Sequence, residues 1–312
     1  MNRKIAVVMG SDSDFSIMKA IIPVLKENGV DYDFRVISAH RTPEIAADFA
    51  KNARSNGYDL IIAGAGMSAH LAGVLAAFAG VPIIGVPVLS EASGMDGMDA
   101  LHSVIQMPPG IPVATVGIDH AAGAAKLAVK MMDCPCGGAP SVILVYDGEA
   151  TAANADKAAK ALAVYGIGCG MVNTAEAGSG AAALVVALRA AAKGNAFAIV
   201  NLADLPMEAM VAQDSALSKL PIIEVPQKAK TSGFNDTSNK VYSQTQAAEA
   251  VAFVGVQSAQ NAAHLAARIL GIHSADAYGK VVLEHSKLAA AVMEKDAKLH
   301  KEVAEGKSVA AQ

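Results

Sequence analysis

Three short polar motifs contain the side chains of this sequence that could do chemistry. They are GSDSD at residues 10–14, SAHRTP at 38–43 and AGMSAH at 65–70. Each motif follows an apolar run of strand length, and ligands of open α/β sheets bind beyond the carboxyl ends of the strands. We therefore expect the three motifs to line one site at one edge of a sheet.

SAHRTP places the hydroxyl of Ser38, the imidazole of His40 and the guanidinium of Arg41 at a strand end, before a Thr-Pro pair that suits a helix start. Histidine exchanges a proton near neutral pH, so His40 is the candidate general acid or base. No Lys or Arg occurs between residues 54 and 126, which makes Arg41 the strand-end candidate to pair with a phosphate. The alternatives are a structural histidine and a solvated arginine.

GSDSD offers the hydroxyls of Ser11 and Ser13, the carboxylate of Asp14 and a flexible glycine at the start of a helix. Free backbone N–H groups and the helix dipole favour an anion such as phosphate there. The alternative for Ser13 or Asp14 is simple capping of the helix.

The third motif extends upstream to AGAGMSAH and reads G-x-G-x-x-A at Gly64, Gly66 and Ala69. A dinucleotide fingerprint also needs an acidic residue about 20 positions later, where this chain has IIGVPV, so we expect no nicotinamide cofactor. The glycines instead let the backbone approach a ligand, while Ser68 and His70 line the cavity. His70 is equally compatible with a satisfied helix histidine.

Three cysteines, Cys134, Cys136 and Cys169, are too few and too odd in number for a disulfide framework. Cys134 and Cys136 form a C-x-C pair without a second pair or clustered histidines, so we expect no structural zinc. The N-terminal residues lack the long apolar core of a signal peptide, which predicts a cytoplasmic protein.

The composition is 53% apolar and 17% charged, against roughly 25% charged in an average soluble domain. This surplus of residues that favour burial predicts a homo-oligomer. The net charge of -4 provides no basic field for nucleic acid. Residues 60–90 contain no charged side chain, yet their glycines and prolines divide them into strand, helix and strand, so we predict a buried parallel sheet and not a membrane span.

Apolar runs of strand length alternate with segments of helical period, which predicts an α/β fold with a parallel sheet. The predicted strands are IAVVMG, FRVIS, LIIAGAG, PIIGVPV and PVATVG. The predicted helices lie near residues 14–28, 43–56, 69–79, 96–106 and 120–132.

The second half of the chain repeats the first. SVILVYDGEA matches KIAVVMGSDS, LPIIEVP matches VPIIGVP, and the last strand and helix of each half also correspond. We predict a catalytic domain, a Pro- and Gly-rich linker, a degenerate repeat and a helical tail that packs across a neighbouring domain or subunit, at residues 1–132, 133–140, 141–272 and 273–312.

The repeat preserves the hydrophobic pattern but loses the polar groups. Opposite Ser11, Ser13 and Asp14 stand Gly148, Ala150 and Thr151, and opposite Ser38, His40 and Arg41 stand Ala175, Ala177 and Gly178.

The motifs GSDSD, SAHRTP, AGAGMSAHLAG, GVPV and DALHSVIQMPPGIPV, in this order over residues 4–132, resemble those of class I N5-carboxyaminoimidazole ribonucleotide mutase, the PurE family of purine biosynthesis. The resemblance implies a flavodoxin-like αβα sandwich, here duplicated in tandem. It also implies an octamer with active sites where subunits meet, which four two-domain chains would imitate. Two departures are Ala72, where the family has proline, and Ser68, where a small apolar residue is usual.

By this resemblance, the substrate phosphate is held by Ser11, Ser13, Ser38 and Arg41, and the ribose by Asp14. Ala65, Gly66 and His70 surround the aminoimidazole and its carboxylate, and His40 transfers the proton.

The implied reaction moves a carboxylate from N5 to C4 of the imidazole through trapped carbon dioxide, without a metal or organic cofactor. One alternative is direct carboxylation of aminoimidazole ribonucleotide, the activity of class II relatives, although SAHRTP with AHLAG favours class I. A further alternative is a non-catalytic nucleotide-binding scaffold.

Overall fold

Strands and helices alternate along the first half, as its apolar runs predict. The computed structural model describes residues 3–136, 138–177, 181–192, 195–212, 214–231, 233 and 235–304. The first-half elements are β1 (Lys4–Met9), α1 (Phe15–Met18), α2 (Ile21–Glu27), β2 (Asp31–Val36), α3 (Pro43–Lys51), β3 (Leu60–Gly66), α4 (Leu71–Phe78), β4 (Ile83–Val88), α5 (Met98–Ile105), β5 (Ala114–Thr115) and α6 (Ala121–Asp133). The prediction of one continuous helix at residues 14–28 is wrong. This segment contains the end of a 3₁₀ turn (Asp12–Asp14) and the two short helices α1 and α2.

The second half repeats this alternation and adds a long C-terminal helix. Its elements are β6 (Ser141–Tyr146), α7 (Gly148–Val164), β7 (Gly168–Asn173), α8 (Ala181–Ala192), β8 (Ala196–Asn201), α9 (Met207–Val211), β9 (Ile222–Glu224), α10 (Asp236–Ala247), β10 (Val251–Phe253), α11 (Ala259–His273) and α12 (Ala275–Ala304). Gly137 of the predicted linker, Gly178 opposite Arg41 and the end of the tail at 305–312 lie outside the described residues.

The ten strands within the described residues belong to one sheet, in the order β2-β1-β3-β4-β5-β10-β9-β8-β6-β7. Within each half the strands are parallel, and both halves have the flavodoxin-like order 2-1-3-4-5. The halves meet where β5 and β10 pair antiparallel at Thr115 and Phe253. The two halves therefore share one continuous sheet, and their strands end at opposite edges of it.

Helices cover both faces of the sheet and complete the predicted three layers. Ile5 and Val7 of β1 face a core formed with α2, α6, α7 and α11, which extends across both halves. Ala6 and Val8 face the opposite core, formed in the first half by α3, α4 and α5. A third core beneath α8, α9 and α10 covers that same face in the second half.

The uncharged stretch at residues 60–90 forms β3, α4 and β4, as its glycines and prolines predict. All six residues of β4 are buried, which explains the uninterrupted apolar run. Among the described helices, none has the length and hydropathy needed to cross a membrane.

Helix α12 packs on the first half of its own chain at its beginning. Tyr278 fills the space beside Gly80, and the guanidinium of Arg54 lies 4.2 Å from the centre of the Tyr278 ring. Later turns leave apolar side chains exposed, with Val292 67% and Met293 72% accessible. The start of α12 thus contacts the first half of the chain. The side chains of Val292 and Met293 in its later turns remain mostly exposed within the described structure.

Helix α6 of the first half approaches the second half closely, and this contact can be tested by mutation. A Cβ on Gly123 of α6 would lie 2.0 Å from the backbone oxygen of Glu249, just before β10. We expect Gly123→Ala to lower the free energy of unfolding by about 1–3 kcal/mol, because the overlap outweighs the better helix propensity of alanine. Urea unfolding measures the effect.

The matched control is Gly279→Ala in α12, where a Cβ meets no atom within 4 Å. This variant should be as stable as the parent, or up to about 1 kcal/mol more stable. Equal stabilisation by both substitutions would contradict the packing of α6 against the second half.

Candidate active site

The three polar motifs meet in one cavity of about 450 Å³ at the carboxyl ends of β1, β2 and β3. Nine of the ten predicted site residues line it: Ser11, Ser13, Asp14, Ser38, His40, Arg41, Ala65, Gly66 and Ser68. The tenth, His70, contacts His40 directly. The structure thus brings together residues that are up to 59 positions apart in the sequence.

Ser11 caps the turn at the end of β1. Its hydroxyl accepts hydrogen bonds from the backbone and the hydroxyl of Ser13, while Asp14 accepts one from the backbone N–H of Ser11 at 3.1 Å. Burial raises the pKa of Asp14, and the bond from Ser11 opposes that shift. The motif does cap the turn, as the alternative for Ser13 or Asp14 expected. The capping residue is Ser11, and Asp14 completes the cap by accepting the bond from its backbone.

The expected helix dipole at this motif is small. The motif opens a three-residue 3₁₀ turn, followed by the four residues of α1. A macrodipole grows from many aligned peptide groups, so these turns supply little field. The polar groups that an anion could meet here are chiefly the hydroxyls and Arg41.

Arg41 connects the ends of β1 and β2. Its Nη2 donates to the backbone oxygen of Gly10 at 3.1 Å, and its Nε donates to Oγ of Ser38 at 3.4 Å. A guanidinium carries five N–H donors, so others remain available beside the cavity. This arrangement suits a phosphate or carboxylate, which arginine recognises with paired hydrogen bonds.

His40 and His70 form a hydrogen-bonded pair. Nε2 of His40 lies 3.1 Å from Nδ1 of His70, and the rings are nearly perpendicular, at 86°. In this contact one nitrogen donates the hydrogen bond and the other accepts it. Both side chains are exposed at the cavity mouth. His70 thus lies directly before α4, with its ring hydrogen-bonded to the lining residue His40.

The glycines of AGAG have packing roles in addition to access. A Cβ on Gly64 would lie 2.5 Å from Sδ of Met18, and one on Gly66 would lie 2.9 Å from the backbone oxygen of Val88. Of the two, Gly66 also lines the cavity. Ser90, two residues beyond β4, lines it as well, and the strand-end rule that selected the other motifs also applies to this serine.

The corresponding strand ends of the second half carry a different polar set. Thr174 donates to Asp147 at 3.1 Å, and Asn173 accepts from the backbone of Gly148 at 3.0 Å. These groups satisfy one another. In the described segments 147–151 and 173–177 there is no imidazole or guanidinium.

A larger cavity of about 710 Å³ lies at the opposite edge of the sheet and is lined mostly by residues of the second half. Glu224, Asp204 and Glu208 are among its lining residues, with Lys130 as a basic neighbour. Burial raises the pKa of Glu224 to about 8, although Asn201 donates a hydrogen bond to its carboxyl. None of the predicted site residues lies here, and the acidic lining is a poor match for a phosphate.

The sequence-based expectation about the C-x-C pair needs correction. Sγ of Cys134 lies 3.3 Å from Sγ of Cys136 and 3.4 Å from Nε2 of His273. The premise that no histidine joins the cysteines is therefore wrong, because the fold brings in a residue 139 positions away.

The fold and the cavity define an α/β protein with flavodoxin-like strand order and a polar pocket at its strand ends. The AIR carboxylase family model matches residues 4–135. Over 129 residues the chain is 54% identical to the N5-carboxyaminoimidazole ribonucleotide mutase of Pyrococcus abyssi, which covers 41% of this chain and 73% of that protein. This chain belongs to the AIR carboxylase family.

Other relatives match the same half. The phosphoribosylaminoimidazole carboxylase of Saccharomyces cerevisiae is 48% identical over 128 residues, which are 41% of this chain and 22% of that protein. The solved structure of PurE from Treponema denticola is 32% identical and covers 40% of this chain and 78% of its own, with a TM-score of 0.36. The family match confirms the resemblance carried by the motifs and ends before β6, so the repeat is supported only by sequence pattern and strand order.

Proposed function

We propose that this chain converts N5-carboxyaminoimidazole ribonucleotide to 4-carboxy-5-aminoimidazole ribonucleotide in purine biosynthesis. The observation that carries the proposal is the single cavity in which Ser11, Ser38, His40 and Arg41 meet. It lies within the half that is 54% identical to a protein named for this mutase activity.

Each part of the cavity has a task in this proposal. Arg41 and the hydroxyls of Ser11, Ser13 and Ser38 hold the phosphate, and Asp14 holds the ribose. Ala65, Gly66, Ser68 and His70 surround the aminoimidazole and its carboxylate. His40 lies at the mouth, within reach of both groups of residues.

His40 supplies and then recovers one proton. The N5–carboxyl bond breaks as protonated His40 gives its proton to N5, which releases carbon dioxide and the aminoimidazole. C4 attacks the carbon dioxide, and the C4 proton then passes to His40, which restores its starting state. The reaction needs no metal or organic cofactor, because the electron-rich ring is its own nucleophile; the protein must retain carbon dioxide and orient it.

We propose an assembly of four chains, and the exposure of the site supports its contact with a neighbouring subunit. His40, Arg41 and Ser68 are exposed, so a neighbouring subunit is needed to close the cavity around carbon dioxide. The uncovered apolar residues of α12 provide a further contact surface. Light scattering should find the mass of four chains; a monomer with full activity would contradict this assembly.

The deciding assay supplies N5-carboxyaminoimidazole ribonucleotide to the purified chain in buffer depleted of carbon dioxide and follows absorbance. Rapid conversion is expected. Activity only with aminoimidazole ribonucleotide and bicarbonate would identify a direct carboxylase instead, the activity named for the yeast relative. No activity in either assay would leave a nucleotide-binding scaffold.

We further propose one active site per chain, with residues 141–272 as a degenerate repeat that serves as scaffold. The polar residues at the strand ends of that half form hydrogen bonds with one another. Their described segments, 147–151 and 173–177, contain no imidazole or guanidinium. Calorimetric titration with the product nucleotide should give one site per chain. Two equal sites would contradict the proposal.

Arg41→Met should raise KM about tenfold to a hundredfold with a smaller change in kcat. Hydrogen bonds to a charged group contribute about 1.5–3 kcal/mol, and phosphate binding persists from substrate to transition state. Steady-state kinetics measures both constants. Arg35→Met is the matched control, because Arg35 is exposed on β2 and does not line the cavity. An equal rise in KM for the control would indicate a general charge effect and not a specific contact.

A further inference from the structure

Two cysteine sulfurs and one histidine nitrogen, which come from both halves of the fold, lie close together. Cys134 follows the last residue of α6, and Cys136 lies two positions later. His273 is the last residue of α11. Their ligand atoms all lie within 4.8 Å of one another, with Cys134 buried and the other two half-buried.

The spacing of these atoms fits tetrahedral coordination. Zn–S bonds of about 2.3 Å and Zn–N bonds of about 2.0 Å separate two sulfur ligands by roughly 3.8 Å and a sulfur and a nitrogen by roughly 3.5 Å. The corresponding distances are 3.3 Å between the two Sγ atoms and 3.4 Å between Sγ of Cys134 and Nε2 of His273. A side-chain adjustment of about half an ångström would accommodate the ion.

We propose that Cys134, Cys136 and His273 form a binding site for one thiophilic divalent cation of the zinc class. Two thiolates and a neutral imidazole balance the charge of the ion, which makes a neutral and partly buried site favourable. The three donors leave a fourth position for water, within the part of the chain that the structure describes. Nε2 of His273 also lies 3.0 Å from the backbone oxygen of Met131, a hydrogen bond that ligation through this nitrogen would replace.

The site has a structural role that is independent of the proposed catalysis. It joins the end of α6 in the first half to the end of α11 in the second, across 139 positions of sequence. A cross-link over so long a loop restricts the unfolded chain and stabilises the native contact of the halves. None of the three donor residues lines either large cavity.

The test uses the full chain without an affinity tag, reduced and freed of metal, and titrates it with Co²⁺. One equivalent should produce the visible absorption of tetrahedral cobalt and a thiolate-to-cobalt charge-transfer band, and Zn²⁺ should displace it. Cys136→Ser and His273→Ala should each weaken Co²⁺ binding by more than about a hundredfold, since even partners outside the ligand shell change affinity about 10- to 100-fold. Cys169→Ser, which removes an exposed cysteine, is the matched control and should bind like the parent.

A second measurement on the parent chain does not depend on how the variants fold. Zn²⁺ should raise its unfolding temperature, and a chelator should reverse the rise. A pink octahedral spectrum without a charge-transfer band, or unchanged binding by folded His273→Ala, would overturn the site. Thiol titration that finds Cys134 and Cys136 oxidised to one another in the chain as isolated would overturn it as well.

Discussion

His40→Asn should lower kcat by about 10²- to 10⁴-fold and leave nucleotide affinity within about threefold of the parent, the range typical of losing a general acid or base. Asparagine is polar and smaller, but it cannot carry a proton between N5 and C4. Arg41 and the serines remain in place because none of their hydrogen bonds involves the His40 ring. Substrate should therefore still bind where it no longer reacts.

His40→Gln separates proton transfer from the contact with His70. A glutamine amide reaches the region of Nε2, the atom that lies 3.1 Å from His70, yet it does not titrate. It should be as inactive as His40→Asn. Steady-state rates and calorimetric binding of the product report the two effects, with His300→Asn on exposed α12 as the control. Normal turnover by His40→Gln would show that the ring has only a positioning role.

The candidate site could be predicted from sequence because parallel strands collect their carboxyl ends at one edge. Ser11, Ser38 and Ser68 follow three different strands, and a single rule places them together. The same rule applies to Ser90 beyond β4. Local pattern was sufficient here because every strand of the first half is either buried on both faces or precedes a polar loop.

Contacts between the halves could not be predicted in this way. His273 joins the cysteines through the packing of α11 beside α6, and no spacing in the sequence encodes that approach. The antiparallel pair between Thr115 and Phe253 consists of short strands whose pattern does not reveal direction. These contacts depend on how the two folded halves pack against each other. The hydrophobic periodicity of the sequence predicts only the helices and strands within each half.

The two halves differ at the position of one buried glycine. Gly85 of β4 packs so closely that a Cβ would lie 2.4 Å from Val104, whereas the matching position of β9 is Glu224. Glu224 is only 5% exposed and borders the larger cavity. The second half thus places an ionisable group where the first half has a packed core.

Glu224→Gln should remove a pH dependence of stability. Burial raises the pKa of Glu224 from 4.5 to about 8 in the folded chain. Between these values the folded chain holds a proton that the unfolded chain has lost, so the parent becomes less stable as pH rises through this window. Above about pH 8 the folded carboxyl also ionises and the decline ends. Glutamine cannot ionise, so the variant should exceed the parent in stability at pH 9 by on the order of a few kcal/mol, with little difference near pH 4.5.

Urea unfolding of both chains at pH 5, 7 and 9 measures this difference, since other groups that titrate are common to the two. Glu294→Gln on the exposed face of α12 is the matched control and should follow the parent at every pH. A pH-independent offset between Glu224→Gln and the parent would show that Glu224 acts through packing alone. A gap that widens with pH would show that the second half holds a protonated carboxylic acid at neutral pH, and that its hydrogen bond from Asn201 only partly offsets the cost of burying the charge.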